Sequence, residues 1–112
     1  MRPDDIIRIR HMAEACETLQ TFVAGRTIRD LDHDQMLLFA VVRAIEVVGE
    51  AASKVSVETR LATPEIPWQH IVAMRNRLIH AYFNIDHAIV WRTAQEEIPD
   101  LLQTLFAVLR SV

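Results

Sequence analysis

The stretch "DQMLLFAVVRAIEVVGEAASKVS", residues 34–56, decides how this chain folds. Leu37, Phe39, Val41, Ala44, Ile45, Val47, Val48, Ala51 and Ala52 leave it apolar nearly all round. A helix with that pattern is buried on more than one side and needs neighbours on each. Asp32 and Asp34 are alternative caps for its start. The polar exceptions, Arg43, Glu46, Glu50 and Lys54, fall three and four apart on one stripe. Such a stripe is either a solvated edge with supporting i,i+4 pairs, or a place where Arg43 or Glu50 faces a partner or a site.

Working outward, the neighbours are also helices. A first helix runs roughly from Asp4 to Ala24, with Asp4 and Asp5 in the opening turn, where the helix dipole favours negative charge. Ile9, Met12, Cys16, Leu19 and Val23 step by three and four along one apolar stripe, and Gly25 reads as its stop. After the central helix, "VETRLATPEIP" (57–67) is a loop, with one helical turn possible over Val57–Leu61. A third helix starts near Trp68, after Pro67, and ends near Leu78–His80, with Ile71, Met74 and Leu78 on its inner face. A last helix, capped by Asp86, spans about His87 to Arg110. Trp91, Ala94, Ile98, Leu101, Leu105, Val108 and Val112 form its stripe, widened by Leu102 and Leu109, and Pro99 should kink or break it. The expectation is an all-α fold, an antiparallel bundle of four main helices with a short extra turn in 57–67, forming a single domain over residues 1–112. The breadth of the central apolar surface also implies a homodimer.

Composition narrows the function. The chain has 112 residues, 51% of them hydrophobic and 24% charged, which suits a packed core rather than disorder. The net charge of −3 does not fit a general nucleic-acid binder, so any polyanion contact must be local. Residues 66–85 supply such a place: they hold Arg75 and Arg77 and no acidic residue. Cys16 is the only cysteine, which excludes an intrachain disulfide and fits a reducing, cytoplasmic compartment, with Cys16 itself in the core. The opening residues do not read as a signal peptide. Residues 36–49 are too short and too polar to span a bilayer. No glycine-rich phosphate loop is present, and His11, His33, His70 and His87 lack metal-ligand spacing. Asp30, Asp32, His33 and Asp34 read as an acidic loop of capping and solvated residues, with weak binding of a hard cation the sharper alternative. No cofactor or metal is expected.

The candidate site is "MRNRLIHAYF", residues 74–83. At 100° per residue, Asn76, Arg77 and His80 share a helical face, while Arg75 points about 140° from His80. Arg75 can join them by its long side chain, by unwinding after Leu78, or across a dimer seam. The residue types suit metal-independent RNA cleavage. Histidine can move the proton of a 2′-hydroxyl, and an arginine fork holds phosphate oxygens and stabilises the charge that builds on them. Asparagine can orient polar groups, and tyrosine can stack on a base or hold a phosphate. The plainer reading is a helix C-terminus whose dipole attracts cations.

The run Arg75-Asn-Arg-Leu-Ile-His80-Ala-Tyr82 resembles the R-x4-H-x-Y signature of the HepT-like branch of HEPN domains. "AIEVVGEAASKVS" (44–56), "PEIPWQHIVAMRN" (64–76) and "IVWRTAQEEIPDLL" (89–102) are similar to family segments in the same order. The resemblance covers about residues 4 to 110. It implies a homodimeric helical bundle whose two motifs meet in one cleft, and a metal-independent endoribonuclease toxin paired with an MntA-like nucleotidyltransferase antitoxin. By position it makes Arg75 and His80 the catalytic pair, Asn76 the supporting polar residue and Tyr82 a cleft residue that accepts AMP from the antitoxin. Arg77 lies outside the signature. The rival from another class is a non-catalytic interaction module that binds, and is modified by, a nucleotidyltransferase.

Overall fold

The central helix, α3, covers Gln35–Ser53. The Asp34 side chain accepts a hydrogen bond from the Leu37 amide at 3.0 Å and so caps its start. The apolar pattern has the expected consequence. α3 packs on one side against α1 (Pro3–Val23) and on the other against α5 (Trp68–His80). Val41, Val48 and Ala52 are almost completely buried between them. The computed structural model describes residues 1–81 and 84–112, and every regular element among them is helical. This is the expected all-α bundle.

The other elements tie the bundle together. α1 buries the whole stripe Ile9, Met12, Cys16, Leu19 and Val23. Gly25 follows with φ of 73°, the left-handed conformation that glycine adopts without strain. Short helices α2 (Ile28–His33) and α4 (Val57–Ala62) fill the two connections. α6 (His87–Arg92) passes through a π-helical turn at Thr93–Glu97 into α7 (Ile98–Arg110), which returns against α1. Leu101, Leu105 and Val108 of α7 close the core.

Three expectations are corrected and one is sharpened. The acidic segment around His33 is not a loop but α2, and its carboxylates are in structural use. Asp30 accepts from the Thr27 amide at 2.8 Å, Asp34 caps α3, and Asp32 pairs with His87 at 2.6 Å. The interruption of the last helix expected at Pro99 falls just before it, as a π-helical turn. Proline lacks an N–H and its ring crowds the carbonyl four residues back, and the widened turn at Thr93–Glu97 takes up that conflict just before it. Val112 lies past the end of α7 and is 55% exposed, not core. Phe39 on α3 is also 55% exposed, because the outer face of α3 has no helix over it.

The end of α1 is fastened to α4 by a buried carboxylate. Asp5 accepts from the Ser56 amide at 3.0 Å, the Ser56 hydroxyl at 2.6 Å and the Thr59 hydroxyl at 2.6 Å. Burial opposes its charge, but these hydrogen bonds prevail and hold the carboxyl below its ordinary value. Arg60 then caps α3 from α4. It donates to the carbonyls of Ala52 at 2.9 Å and Val55 at 3.1 Å and lies over the Trp68 ring. Trp68 is thereby placed beside the C-terminal end of α3, so α5 runs antiparallel to α3.

Candidate functional site

Pro67 precedes Trp68 and fixes the start of α5, and the helix stops at His80, as the sequence implies. Trp68, Ile71, Met74 and Leu78 face the core. That inner stripe sets the direction of everything else on the helix. Asn76, Arg77 and His80 are exposed, and Arg75 is half-buried along the seam with α3. Arg77 and His80 occupy the last turn, where the carbonyl end of the dipole suits cations.

The Arg75 stem lies directly against Gly49 of α3. A β-carbon built at Gly49 would come within 2.2 Å of the Arg75 Cβ and 2.7 Å of its Cγ. Glycine here allows two helix backbones to approach until the arginine stem fills the space a side chain would take. Glycine in a helix interior costs about 1 kcal/mol relative to alanine, so its presence mid-helix points to a packing reason. The sequence signal for Gly49 was therefore available, but the residue it accommodates was not.

The Arg75 head is held but not satisfied. Its Nη1 donates to the Asn76 side-chain oxygen at 3.0 Å, while the buried Nε has no partner among the described residues. A buried guanidinium N–H without an acceptor carries a desolvation cost that an incoming anion would relieve. No hydrogen bond joins Arg75 to His80 within the chain, in keeping with their opposed helical directions. One chain brings Arg75 and Asn76 together and leaves Arg77 and His80 on the open side. Tyr82 lies outside the described residues.

Beside Gly49, the stripe on α3 takes the solvated, paired form. Arg43 donates to Glu50 at 2.9 Å and lies 3.6 Å from Glu46. The Glu50 contact, then its charge, hold the Arg43 guanidinium firmly protonated. The exposed apolar groups of this region, Met36 and Phe39 on α3 and Ile79 on α5, lie toward the N-terminal end of α3 and the C-terminal end of α5. In the antiparallel arrangement those ends adjoin. Cys16 is buried and its thiol is pushed up to about 12, by burial first and then by Glu17, so it takes no part in chemistry near neutral pH.

Among the described residues no group of three or more His, Cys, Asp or Glu converges as metal ligands, and no helix is long and apolar enough to cross a membrane. The model for a family described as ribonuclease HepT-like matches residues 12–108. A protein of Thermococcus cleftensis, named provisionally as ribonuclease HepT, is 39% identical over 93 residues, which cover 83% of this chain and 84% of that one. One from Caldanaerobacter subterraneus subsp. tengcongensis, named provisionally as an RNase, is 35% identical over 102 residues and 91% of each chain. A Methanocaldococcus jannaschii protein is 30% identical across all of this chain but only 50% of its own length. Its name joins a gamma-glutamylcyclotransferase to a provisional RNase. No solved structure matches.

Proposed function

Because the chain belongs to the HepT-like ribonuclease family, we propose that it is an endoribonuclease whose site is completed by a second copy of itself and requires no metal. The observation that carries this reading is Arg75: half-buried against Gly49, anchored on one side by Asn76, and left with a buried Nε that has no partner among the described residues. That guanidinium is preorganised for a phosphate before any substrate arrives.

In the reaction, His80 takes the proton of the ribose 2′-hydroxyl, and the 2′-oxygen attacks the adjacent phosphorus. Arg75 holds the non-bridging oxygens as negative charge builds on them. The bond from phosphorus to the 5′-oxygen breaks, and that oxygen takes up a proton from an imidazolium, either the one just formed or that of the second copy. The products are a 2′,3′-cyclic phosphate and a 5′-hydroxyl. Asn76 fixes the Arg75 head, and Arg77 offers a further cation to the backbone. The opposed directions of Arg75 and His80 support a shared cleft, as do the uncovered Phe39 and Ile79 toward the His80 end of α5. Pairing two copies through this face covers the apolar groups and brings each Arg75 toward the other chain's His80.

The same reading makes the protein a toxin, restrained by an MntA-like nucleotidyltransferase antitoxin that adds AMP to Tyr82. The added AMP carries a phosphate of its own, and within the cleft it would compete with the substrate phosphate for cations. The net charge of −3 favours a second reading, a non-catalytic module that docks and is modified by that partner, because RNA affinity leans on phosphate contacts. Purified protein incubated with single-stranded RNA and a chelator decides between them. Cleavage leaving cyclic phosphate ends, abolished by His80→Ala, is the expected result. Intact RNA, or a His80→Ala variant that cuts at the parental rate, would overturn it.

A further inference from the structure

α5 carries Arg75, Asn76, Arg77 and His80, yet among the described residues it packs broadly on one helix alone, α3. On its other flank stands the π-helical turn at Thr93–Glu97, and the packing between them is incomplete. A cavity of about 50 Å³ lies there, walled by Ile71 and Met74 of α5, Val48 of α3 and Ile98 and Leu101 of α7. Side chains that border a void lose dispersion contacts on that side, so α5 has room to swing toward it.

One side-chain bond crosses the gap. At the cavity, the His70 ring Nε2 meets a carboxylate oxygen of Glu97. Among the described residues this is the only side-chain hydrogen bond from α5 to the segment that follows it. The other side chain that bonds outside α5, Trp68, reaches back to Thr63. Glu97 is itself braced: its second oxygen lies 3.2 Å from the hydroxyl of Thr93, which is buried and bonded to the Ile89 carbonyl at 2.8 Å. Thr93 and Glu97 are the first and last residues of the π turn. Pro99 explains why the helix widens, but not why the widened turn offers a braced carboxylate to α5. Single π turns are frequent where a helix serves a site. The His70 side chain is 57% exposed, and a pair at that exposure adds little to folding stability.

The position of the bond gives it leverage. The tightest contact between α5 and α3 is Arg75 on Gly49. His70 lies five residues before Arg75 and His80 five residues after, about 7.5 Å to either side. Arg75 is therefore a fulcrum with two equal arms. A shift of about 1 Å at His70 tilts the helix by about 8° and moves His80 about 1 Å the other way. We propose that His70 and Glu97 are a positioning pair: their hydrogen bond braces α5 across the cavity and sets where the helix holds His80 relative to Arg75. This rests on the ribonuclease reading for what His80 does, not for the brace itself.

The test uses the full chain and two readouts. Steady-state cleavage of single-stranded RNA reports the site, and hydrogen exchange of the α5 amides, taken without RNA, reports the brace. His70→Ala and Glu97→Ala should each lower kcat about ten- to a hundredfold. KM should hold, because Arg75 stays at the fulcrum. His70→Gln keeps a donor at the same reach and should keep the parental kcat. The double variant His70→Ala/Glu97→Ala should lose no more than either single one, since both remove the same bond. Exchange should quicken in α5 and not in α1, with Tm unchanged. Parental kcat in His70→Ala overturns the inference, as does a double variant whose losses multiply. So does exchange that quickens throughout the chain with a lowered Tm, since the pair would then serve the fold alone. The two readings fail separately. A chain that cuts no RNA, while exchange quickens only in α5, loses the ribonuclease and keeps the brace. A chain that cuts RNA equally well without His70 does the reverse.

Discussion

Replacing Gly49 with alanine adds one methyl group at the most crowded point of the α3–α5 contact. The new carbon would sit 2.2 Å from the Arg75 Cβ, 2.7 Å from its Cγ and 3.3 Å from the Ile71 carbonyl oxygen. Ordinary carbon–carbon contact needs about 3.5–4.0 Å. The shortfall against Cβ is therefore about 1.5 Å, and Cβ cannot rotate away because it is fixed to the backbone. The helices must part, or α5 must turn about its own axis. Overpacking of this kind costs about 1–3 kcal/mol, while alanine's better helix propensity returns about 1 kcal/mol. The net destabilisation is about 0–2 kcal/mol, a fall in Tm of at most about 8 °C. Activity should suffer far more than stability, since a displacement of about 1 Å at a catalytic group can cost about a hundredfold in rate. The assay pairs a thermal melt with kcat on single-stranded RNA. A Gly49→Ala protein with raised Tm and parental kcat would refute the close approach, and with it the preorganisation of Arg75.

Other consequences follow from single contacts. Asp5→Ala strands the two hydroxyls and the amide that Asp5 accepts from, and should cost about 2–3 kcal/mol in chemical denaturation. Because the folded carboxyl is held below its ordinary 3.8, its contribution is present above that pH and disappears as pH falls toward the folded value. The parent should lose stability in that acid window more steeply than Asp5→Ala does. Cys16 should resist alkylation by iodoacetamide at neutral pH until the protein unfolds, given a thiol raised to about 12. Phe39→Glu places a charge on the exposed end of α3 and should shift the protein to monomers on size-exclusion chromatography, with RNA cleavage lost and the melting curve close to parental. Monomers that cut RNA normally would remove the need for a second copy.

The helices were legible because burial writes a period into the sequence. α1, α3 and α5 show their inner stripes plainly, and the bounds of α5 could be read from Pro67 at its start and the loss of apolar spacing at its end. α2 was missed because its signals were polar. Asp30, Asp32 and Asp34 cluster as a loop would, and only their partners reveal two caps and a cross-link to His87. The π turn before Pro99 could be anticipated as a disturbance but not as a form, since proline dictates that something must yield and the neighbours decide what. Phe39 looked like core because residue type does not say which side of a helix lacks a neighbour. At the site, spacing kept Arg75 apart from Arg77 and His80, as the structure does, but it also set Asn76 with those two, whereas the Asn76 side chain accepts a hydrogen bond from Arg75. It could not show that Arg75 lies on Gly49, because that contact joins residues twenty-six apart in the chain.

The central claim is that two copies of this chain make one metal-independent RNA-cutting cleft from Arg75 and His80. Its most direct test is to separate the protein by size, add single-stranded RNA and a chelator to each fraction, and compare the parent with His80→Ala. The account predicts cleavage that follows the parental dimer peak and is absent from a His80→Ala dimer eluting at the same position. Cleavage confined to monomers, or retained by the His80→Ala dimer, would contradict it.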